Sequence, residues 1–275
     1  MKKILSFLLF SSMLAVNAQK HKLVQLWATD PVIATPESVL ADLKNNQLYV
    51  SLIDGGPWDA DGRGGVGRLS AAGTGYDSVW FTGLNAPKGL GMHRDRLYAA
   101  DLSDVVVIDI PKAKLIKKIP IEGASGLNDI TVSDRGAVFV SDSKTGKIWK
   151  IEDDKPGLFL DNITGANGVY AVKDELYFAK GSAFMKADSK KQMTQIADVG
   201  QGIDGIEPIG NGDFLVTSWS GYIFYVYANG QFELLLDTHE QKKNTADIGY
   251  DPVKKIVYVP TFFDRRVVAY QLSDL

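Results

Sequence analysis

The chain has 275 residues and a formal net charge of −3; 45% of its residues are hydrophobic and 23% charged, a composition that fits a folded globular protein. Acidic and basic residues are mixed along the whole length, so no basic stripe points to nucleic acid and no acidic tail to a solvating segment. There is no cysteine, which excludes disulfides, thiolate nucleophiles, zinc–thiolate sites and a lipid-modified N-terminal cysteine. Stability must then come from packing, which a chain of this size can supply.

The first segment reads as an export signal. Lys2 and Lys3 precede an apolar run over 4–16, and Val16-Asn17-Ala18 offers small residues for cleavage. Cleavage after Ala18 is expected, leaving residues 19–275 as a single mature domain in the periplasm or outside the cell. The apolar run is shorter than the ~20 residues a membrane-spanning helix needs. No later segment is apolar enough to cross, so no membrane span is expected.

The mature chain opens with a strand-like run at 22–27 and then repeats itself. Glu37-Ser38-Val39 leads to a strand at 47–51, and Lys88-Gly89-Leu90 to one at 96–100. Asn128-Asp129-Ile130 leads to 137–141, Asn167-Gly168-Val169 to 175–179, Asp204-Gly205-Ile206 to 213–217, and Asp247-Ile248-Gly249 to 256–260. Each run is rich in β-branched and aromatic residues, and turn formers precede most of them. The leading polar residue stands 9 to 11 positions ahead of its strand in all six copies, and successive leaders are 37 to 51 residues apart. That is the period of a four-stranded propeller blade. Third strands are visible at 146–151 and 221–226, and outer strands at 78–81 and 232–236.

The predicted fold is therefore all-β: a six-bladed β-propeller. Only 28 residues follow Asp247, too few for a full repeat, and the 19 from Gln19 to Glu37 restore the period. The strand at 22–27 is thus expected to close the last blade, removing the free edges of an open sheet. A β-sandwich with similarly spaced strands is the competing architecture. The recurring aromatics Tyr49, Tyr98, Phe139, Tyr177 and Tyr258 are expected to pack between blades.

Residues 54–67 make the first repeat the longest and read as a surface loop over the channel mouth. Gly62, Gly64 and Gly67 match a dinucleotide fingerprint without its strand-to-helix setting, and Asp59-Ala60-Asp61-Gly62 starts like a calcium loop that no glutamate closes. His21, His93 and His239 form no legible triad, and no nucleophile elbow occurs. Asn162-Ile163-Thr164 fits a glycosylation acceptor. Trp58 and Trp219, off the strands, are the aromatic candidates for a ligand surface.

In a propeller the innermost strands run along a central channel, so the six leaders should face one mouth. Five of them carry oxygen: Glu37, Asn128, Asn167, Asp204 and Asp247; the sixth is Lys88. Here the chain resembles the senescence-marker-protein/gluconolactonase family and its NHL and strictosidine-synthase-like relatives, over essentially the whole mature length. Glu37-Ser38 resembles the family's Glu-Ser-Pro motif, with Val39 in place of the proline and Leu40 in place of a tryptophan. Gly165-Ala166-Asn167-Gly168-Val169 is similar to its Pro-Asn-Gly-Leu segment, and Ile203-Asp204-Gly205-Ile206 to its Pro-Asp-Gly segment. Leu127-Asn128-Asp129 is similar to Phe-Asn-Asp, although Gly126 stands where the family has an arginine.

The resemblance implies that Glu37, Asn167 and Asp204 ligate a divalent cation, that Asp204 is also the general base, and that Asn128 contacts substrate. Two carboxylates and an amide oxygen are hard ligands that favour calcium, magnesium or manganese. Such an ion polarises a lactone or ester carbonyl. A ligand aspartate loses basicity, so Asp204 needs a shared arrangement to act as base. Lys88, with no family counterpart, opposes a cation and favours an anionic substrate; Lys88 and Asp247 join Asn128 as candidates to touch it. The leading function is a metal-dependent lactone or ester hydrolase acting on a small molecule, with a monomer expected. The alternatives are a non-catalytic binding propeller and a cation kept for stability alone, since fold does not fix function. The bland reading of the ring is a set of blade-entry turn caps.

Overall fold

The structure is a computed structural model that describes residues 19–275; the expected cleavage site after Ala18 lies outside the described residues. It contains six four-stranded antiparallel sheets. Strand β1 (His21–Ala28) comes first and belongs to the last blade. Blade 1 is β2 (Pro36–Asp42), β3 (Gln47–Leu52), β4 (Gly64–Ser70) and β5 (Asp77–Leu84). Blade 2 is β6 (Pro87–His93), β7 (Arg96–Asp101), β8 (Asp104–Asp109) and β9 (Lys114–Pro120). Blade 3 is β10 (Leu127–Val132), β11 (Val138–Asp142), β12 (Lys147–Glu152) and β13 (Lys155–Leu160). Blade 4 is β14 (Ala166–Val172), β15 (Glu175–Lys180), β16 (Ala183–Ala187) and β17 (Met193–Asp198). Blade 5 is β18 (Ile206–Gly210), β19 (Asp213–Ser218), β20 (Tyr222–Val226) and β21 (Phe232–Asp237). Blade 6 is β22 (Gly249–Asp251), β23 (Ile256–Pro260) and β24 (Val267–Asp274), with β1 outermost. The fold is the six-bladed propeller expected from the repeat. No helix among the described residues is long and apolar enough to cross a membrane.

The hydrophobic core lies between blades, because the two faces of each inner strand must both be covered. Tyr49, Val66 and Trp80 of blade 1 pack on Leu90, Leu97 and Val106 of blade 2. Phe139 and Ile148 of blade 3 pack on Val169 and Phe178 of blade 4, and Tyr258 and Val267 of blade 6 on Leu48 and Leu69 of blade 1. The recurring aromatics sit in these seams as expected: Tyr49 lies 4.7 Å from Trp80 and Tyr177 4.5 Å from Phe214, centroid to centroid. The ring closes where β1 pairs with β24 from His21↔Asp274 to Ala28↔Val268.

One sequence expectation is corrected. Residues 64–67 are the start of β4 and not part of the first-blade loop, which spans 54–63. Small residues are needed there: a Cβ on Gly65 would stand 2.4 Å from the Phe81 carbonyl oxygen of β5.

A second set of glycines pulls the innermost strands together at mid-channel. A Cβ on Gly168 would meet the Asp204 carbonyl oxygen at 2.4 Å, and one on Gly249 the Val39 carbonyl oxygen at 2.4 Å. Backbone cannot yield to such contacts without moving a blade. Gly168→Ala is therefore expected to lower the melting temperature by several degrees, through overpacking of about 1–3 kcal/mol. Gly202→Ala, with nothing within 4 Å of its Cβ, should leave it within a degree; paired thermal melts check this.

Candidate functional site

Four of the six innermost strands enter the channel through an irregularity in their pairing. The register shifts between Pro36 and Val39, Pro87 and Leu90, Leu127 and Ile130, and Ala166 and Val169. Those bulges fall on the leader and the residue after it, and a bulge re-aims side chains that regular alternation would send apart. In alternate blades the amide just after the leader is satisfied by a hydroxyl of the second strand. Ser51 Oγ accepts from Ser38 N (2.8 Å), Ser141 Oγ from Asp129 N (3.0 Å) and Thr217 Oγ1 from Gly205 N (2.7 Å).

At the mouth formed by the strand entries, Glu37, Lys88, Asn128 and Asp204 are buried and Asn167 half-buried. Asn167 Nδ2 donates to Asp204 Oδ1 at 2.6 Å, and Asn128 Nδ2 to Ser143 Oγ at 2.9 Å. Both amides are thereby oriented with their oxygens spare. Glu37 Oε2, Asn128 Oδ1 and Asn167 Oδ1 are buried acceptors without a hydrogen-bond partner. An orphaned buried acceptor costs roughly 1–3 kcal/mol, so three on one ring form a site short of donors or of a cation.

Burial, with the Asp204 charge next in weight, holds the Glu37 carboxyl well above its ordinary range, while Lys88 draws it down. Burial likewise pushes Asp204 up to about 7, against the Asn167 hydrogen bond and the Lys88 charge. Lys88 itself is lowered by burial. Its ammonium has no carboxylate within 4 Å among the described residues; it donates to the carbonyls of Pro57 and of Ala86, the latter at 3.2 Å. The first-blade loop thus lies over the mouth, as its length suggested. Its Trp58 ring carries two ammonium groups, Lys88 Nζ at 3.9 Å and Lys144 Nζ at 4.5 Å from the centroid. Lys144 is set there by a turn in which Asp142 Oδ1 accepts from Lys144 N and Thr145 N.

Asp247 sits lower than the other leaders, at the channel waist. Its Oδ2 accepts from Ser38 Oγ at 2.5 Å, and Ser38 Oγ accepts from Leu90 N at 3.3 Å, which ties blades 6, 1 and 2. Asp129 Oδ2 accepts from Val169 N at 2.6 Å, tying blade 3 to blade 4. Burial pushes Asp247 up to about 7 and Asp129 well above its ordinary range. Neither Ser38 nor Asp129 was singled out in the sequence; the alternating Ser51, Ser141 and Thr217 was the signal for the bulges that aim them inward. Trp219 is exposed and packs edge-on against Phe262 and Phe263, with centroids 5.5 and 5.8 Å away.

Folded Asp204 and Asp247 hold protons up to about pH 7, whereas unfolded aspartates release them near pH ~4. Between those values the folded chain binds more protons than the unfolded one, so stability falls as pH rises. In chelator, the melting temperature is expected to drop from pH 5 to pH 8; a rise over that range would contradict the site's electrostatics.

No group of three or more His, Cys, Asp or Glu side chains placed to hold a metal occurs among the described residues. A cation here would have to use two carboxylates with amide oxygens. The orphaned Asn167 and Glu37 oxygens fit that donor chemistry, since hard cations take amide as well as carboxylate oxygen.

The fold and mouth define a six-bladed propeller with a capped, polar-ringed channel. No family model matches the chain, and no curated protein matches it in sequence. Solved structures it resembles include a protein provisionally named a gluconolactonase, at 12% identity and TM-score 0.69, covering 92% of this chain and 93% of that one. Another is the nidogen/laminin complex, at 14% identity and TM-score 0.67, covering 79% and 85%. A third is a catalytically inactive virginiamycin B lyase of Staphylococcus aureus with quinupristin, at 13% identity and TM-score 0.63, covering 92% and 99%. At these identities the likeness is one of fold.

Proposed function

We propose that this chain is an exported, monomeric hydrolase of lactone or ester type that uses a divalent cation at the Glu37, Asn167 and Asp204 mouth. The observation that carries this reading is the trio of buried, unpartnered oxygens on Glu37, Asn128 and Asn167 beside Asp204. Glu37, Asn167 and Asp204 would hold the ion, with calcium, magnesium or manganese as the hard-ligand choices. When bound, such an ion supplies positive charge that polarises the carbonyl to be attacked. Asp204, shared between the ion and the reacting water, would take a proton from that water and return it to the leaving alkoxide; burial, which pushes it up to about 7 in the ion-free fold, counters the basicity it loses to the ion. Asn128 offers its spare amide oxygen to a substrate hydroxyl. Lys88, released from the Pro57 carbonyl, would face an anionic substituent. Asp247, hydrogen-bonded to Ser38 at the waist, contributes negative charge from below. The name of one structural neighbour, a gluconolactonase, supports the same reaction class.

The loop cover favours a second reading, a non-catalytic binding propeller. Pro57 and Trp58 close the mouth over Lys88, and another neighbour of this fold was solved as the nidogen/laminin complex. Elemental analysis of the purified mature protein, followed by a panel of small lactones and esters, separates the two. A stoichiometric divalent ion with turnover on the panel supports the hydrolase; an ion-free protein inert on every member supports the binding module.

A further inference from the structure

The arithmetic that puts one polar residue per blade at the entry mouth also sets a second ring three residues further on. It consists of Leu40, Gly91, Thr131, Tyr170, Glu207 and Tyr250, and all six line one cavity of about 340 Å³ at the opposite end of the channel. Asp129 and Asp247 reach it from the waist, but both carboxylates are already hydrogen-bonded, to Val169 N and Ser38 Oγ. Glu207 differs. Its carboxyl has no hydrogen bond and no cation within 4 Å among the described residues, and no Lys, Arg or His lines the cavity. Its charge is the largest influence on the neighbouring Tyr170 hydroxyl, and it acts on Tyr250 as well.

From this juxtaposition of an uncompensated carboxylate, two tyrosine rings and apolar wall, we infer that the cavity is a binding pocket for a small organic ammonium ion. The carboxylate supplies the counter-charge, and tyrosine faces attract cations through the ring quadrupole. Leu40 and Met92 take the organic part, and the missing side chain at Gly91 leaves room for it. The volume falls in the range of small-molecule pockets, roughly 300–1,000 Å³. A bare divalent metal ion fits worse: it needs six or more oxygens, and Glu207 is the one free carboxylate present. Burial, reinforced by Asp247, holds the Glu207 carboxyl well above its ordinary range, as expected for a group whose counter-ion arrives with the ligand. The pocket stands independently of the lactone reading, which concerns the other mouth.

Titration calorimetry of the full mature chain with benzylamine, benzyl alcohol and benzoate tests it. One equivalent of benzylamine should bind, with the alcohol and the benzoate at least tenfold weaker. Glu207→Gln should weaken benzylamine tenfold or more while leaving its circular dichroism unchanged. Should that variant misfold, Tyr250→Leu, which keeps the charge and removes a ring, should weaken benzylamine by severalfold. Absence of benzylamine binding to the folded wild type overturns the proposal. So does binding that survives Glu207→Gln, or a preference for the alcohol, the benzoate or calcium alone.

Discussion

A chain lacking residues 19–29 is expected to lose its cooperative thermal transition and to associate. Those residues form the outer strand of the last blade, and they are the only covalently distant part of that sheet. Without them β24 would bare the row of backbone groups that now pair from His21↔Asp274 to Ala28↔Val268, an open edge that templates aggregation. Trp27 would no longer lie on Tyr258, 6.1 Å between centroids, and the seam of blades 6 and 1 would open to water. Three backbone ties would go as well. Lys20 N and His21 N donate to Glu233 Oε2 on the neighbouring blade at 2.9 and 3.1 Å, and Thr29 N donates to the Val267 carbonyl at 3.0 Å. Exposing a seam of this kind costs about 1.5–3 kcal/mol for each large apolar side chain uncovered, which is comparable with the whole stability of a domain after a few residues. Circular dichroism melts and size-exclusion chromatography of the truncated chain would show this. A truncated monomer melting like the full chain would mean that the blade closes without its N-terminal strand.

Asp204→Ala should abolish cation-dependent hydrolysis, by at least a hundredfold in kcat/KM, while leaving the melting temperature in chelator unchanged or higher. The two readouts move apart for a physical reason. Removing Asp204 takes away a carboxylate that burial has pushed up to about 7, so at pH 8 the fold is relieved of a charge it holds at a cost. The loss of the acceptor for Asn167 Nδ2 offsets part of that gain. The proposed chemistry has no such compensation, since in it Asp204 would be both a ligand beside the orphaned oxygens and the proton carrier. Asp204→Asn should be as inactive, because an amide cannot take the proton. A variant retaining activity on the panel would remove Asp204 from the reaction.

Most of the architecture was legible because blade identity is written locally. Strand composition, turn residues and the 9-to-11 offset need no knowledge of distant contacts, and β1 fell into place because the repeat was short by one strand. The leaders Glu37, Lys88, Asn128, Asn167 and Asp204 were legible for the same reason. What followed them was not. Whether Ser38, Asp129 or Glu207 also faces the channel depends on where the pairing slips. That is settled by hydroxyls on another strand and by glycines that let neighbouring blades approach. Asp247 was grouped with the mouth, yet its bond to Ser38 draws it to the waist. Gly64–Gly67 read as loop because glycine is a poor strand former, and the close Asn85 and Phe81 carbonyls and Tyr76 ring, all distant from the local pattern, explain the glycines inside β4. The Lys88 to Pro57 contact spans 31 residues, so a loop of striking length announced a cover without naming what it covers.

The central claim is that buried oxygens on separate blades converge to take one hard cation. Calorimetric titration of calcium, magnesium and manganese into the chelator-treated wild type, Glu37→Gln and Asp204→Ala, at pH 8, tests it directly. One equivalent of at least one of these ions should bind the wild type, and each variant should lose that binding by tenfold or more. Absence of binding by all three ions to the folded wild type, or equal binding by all three proteins, would contradict it.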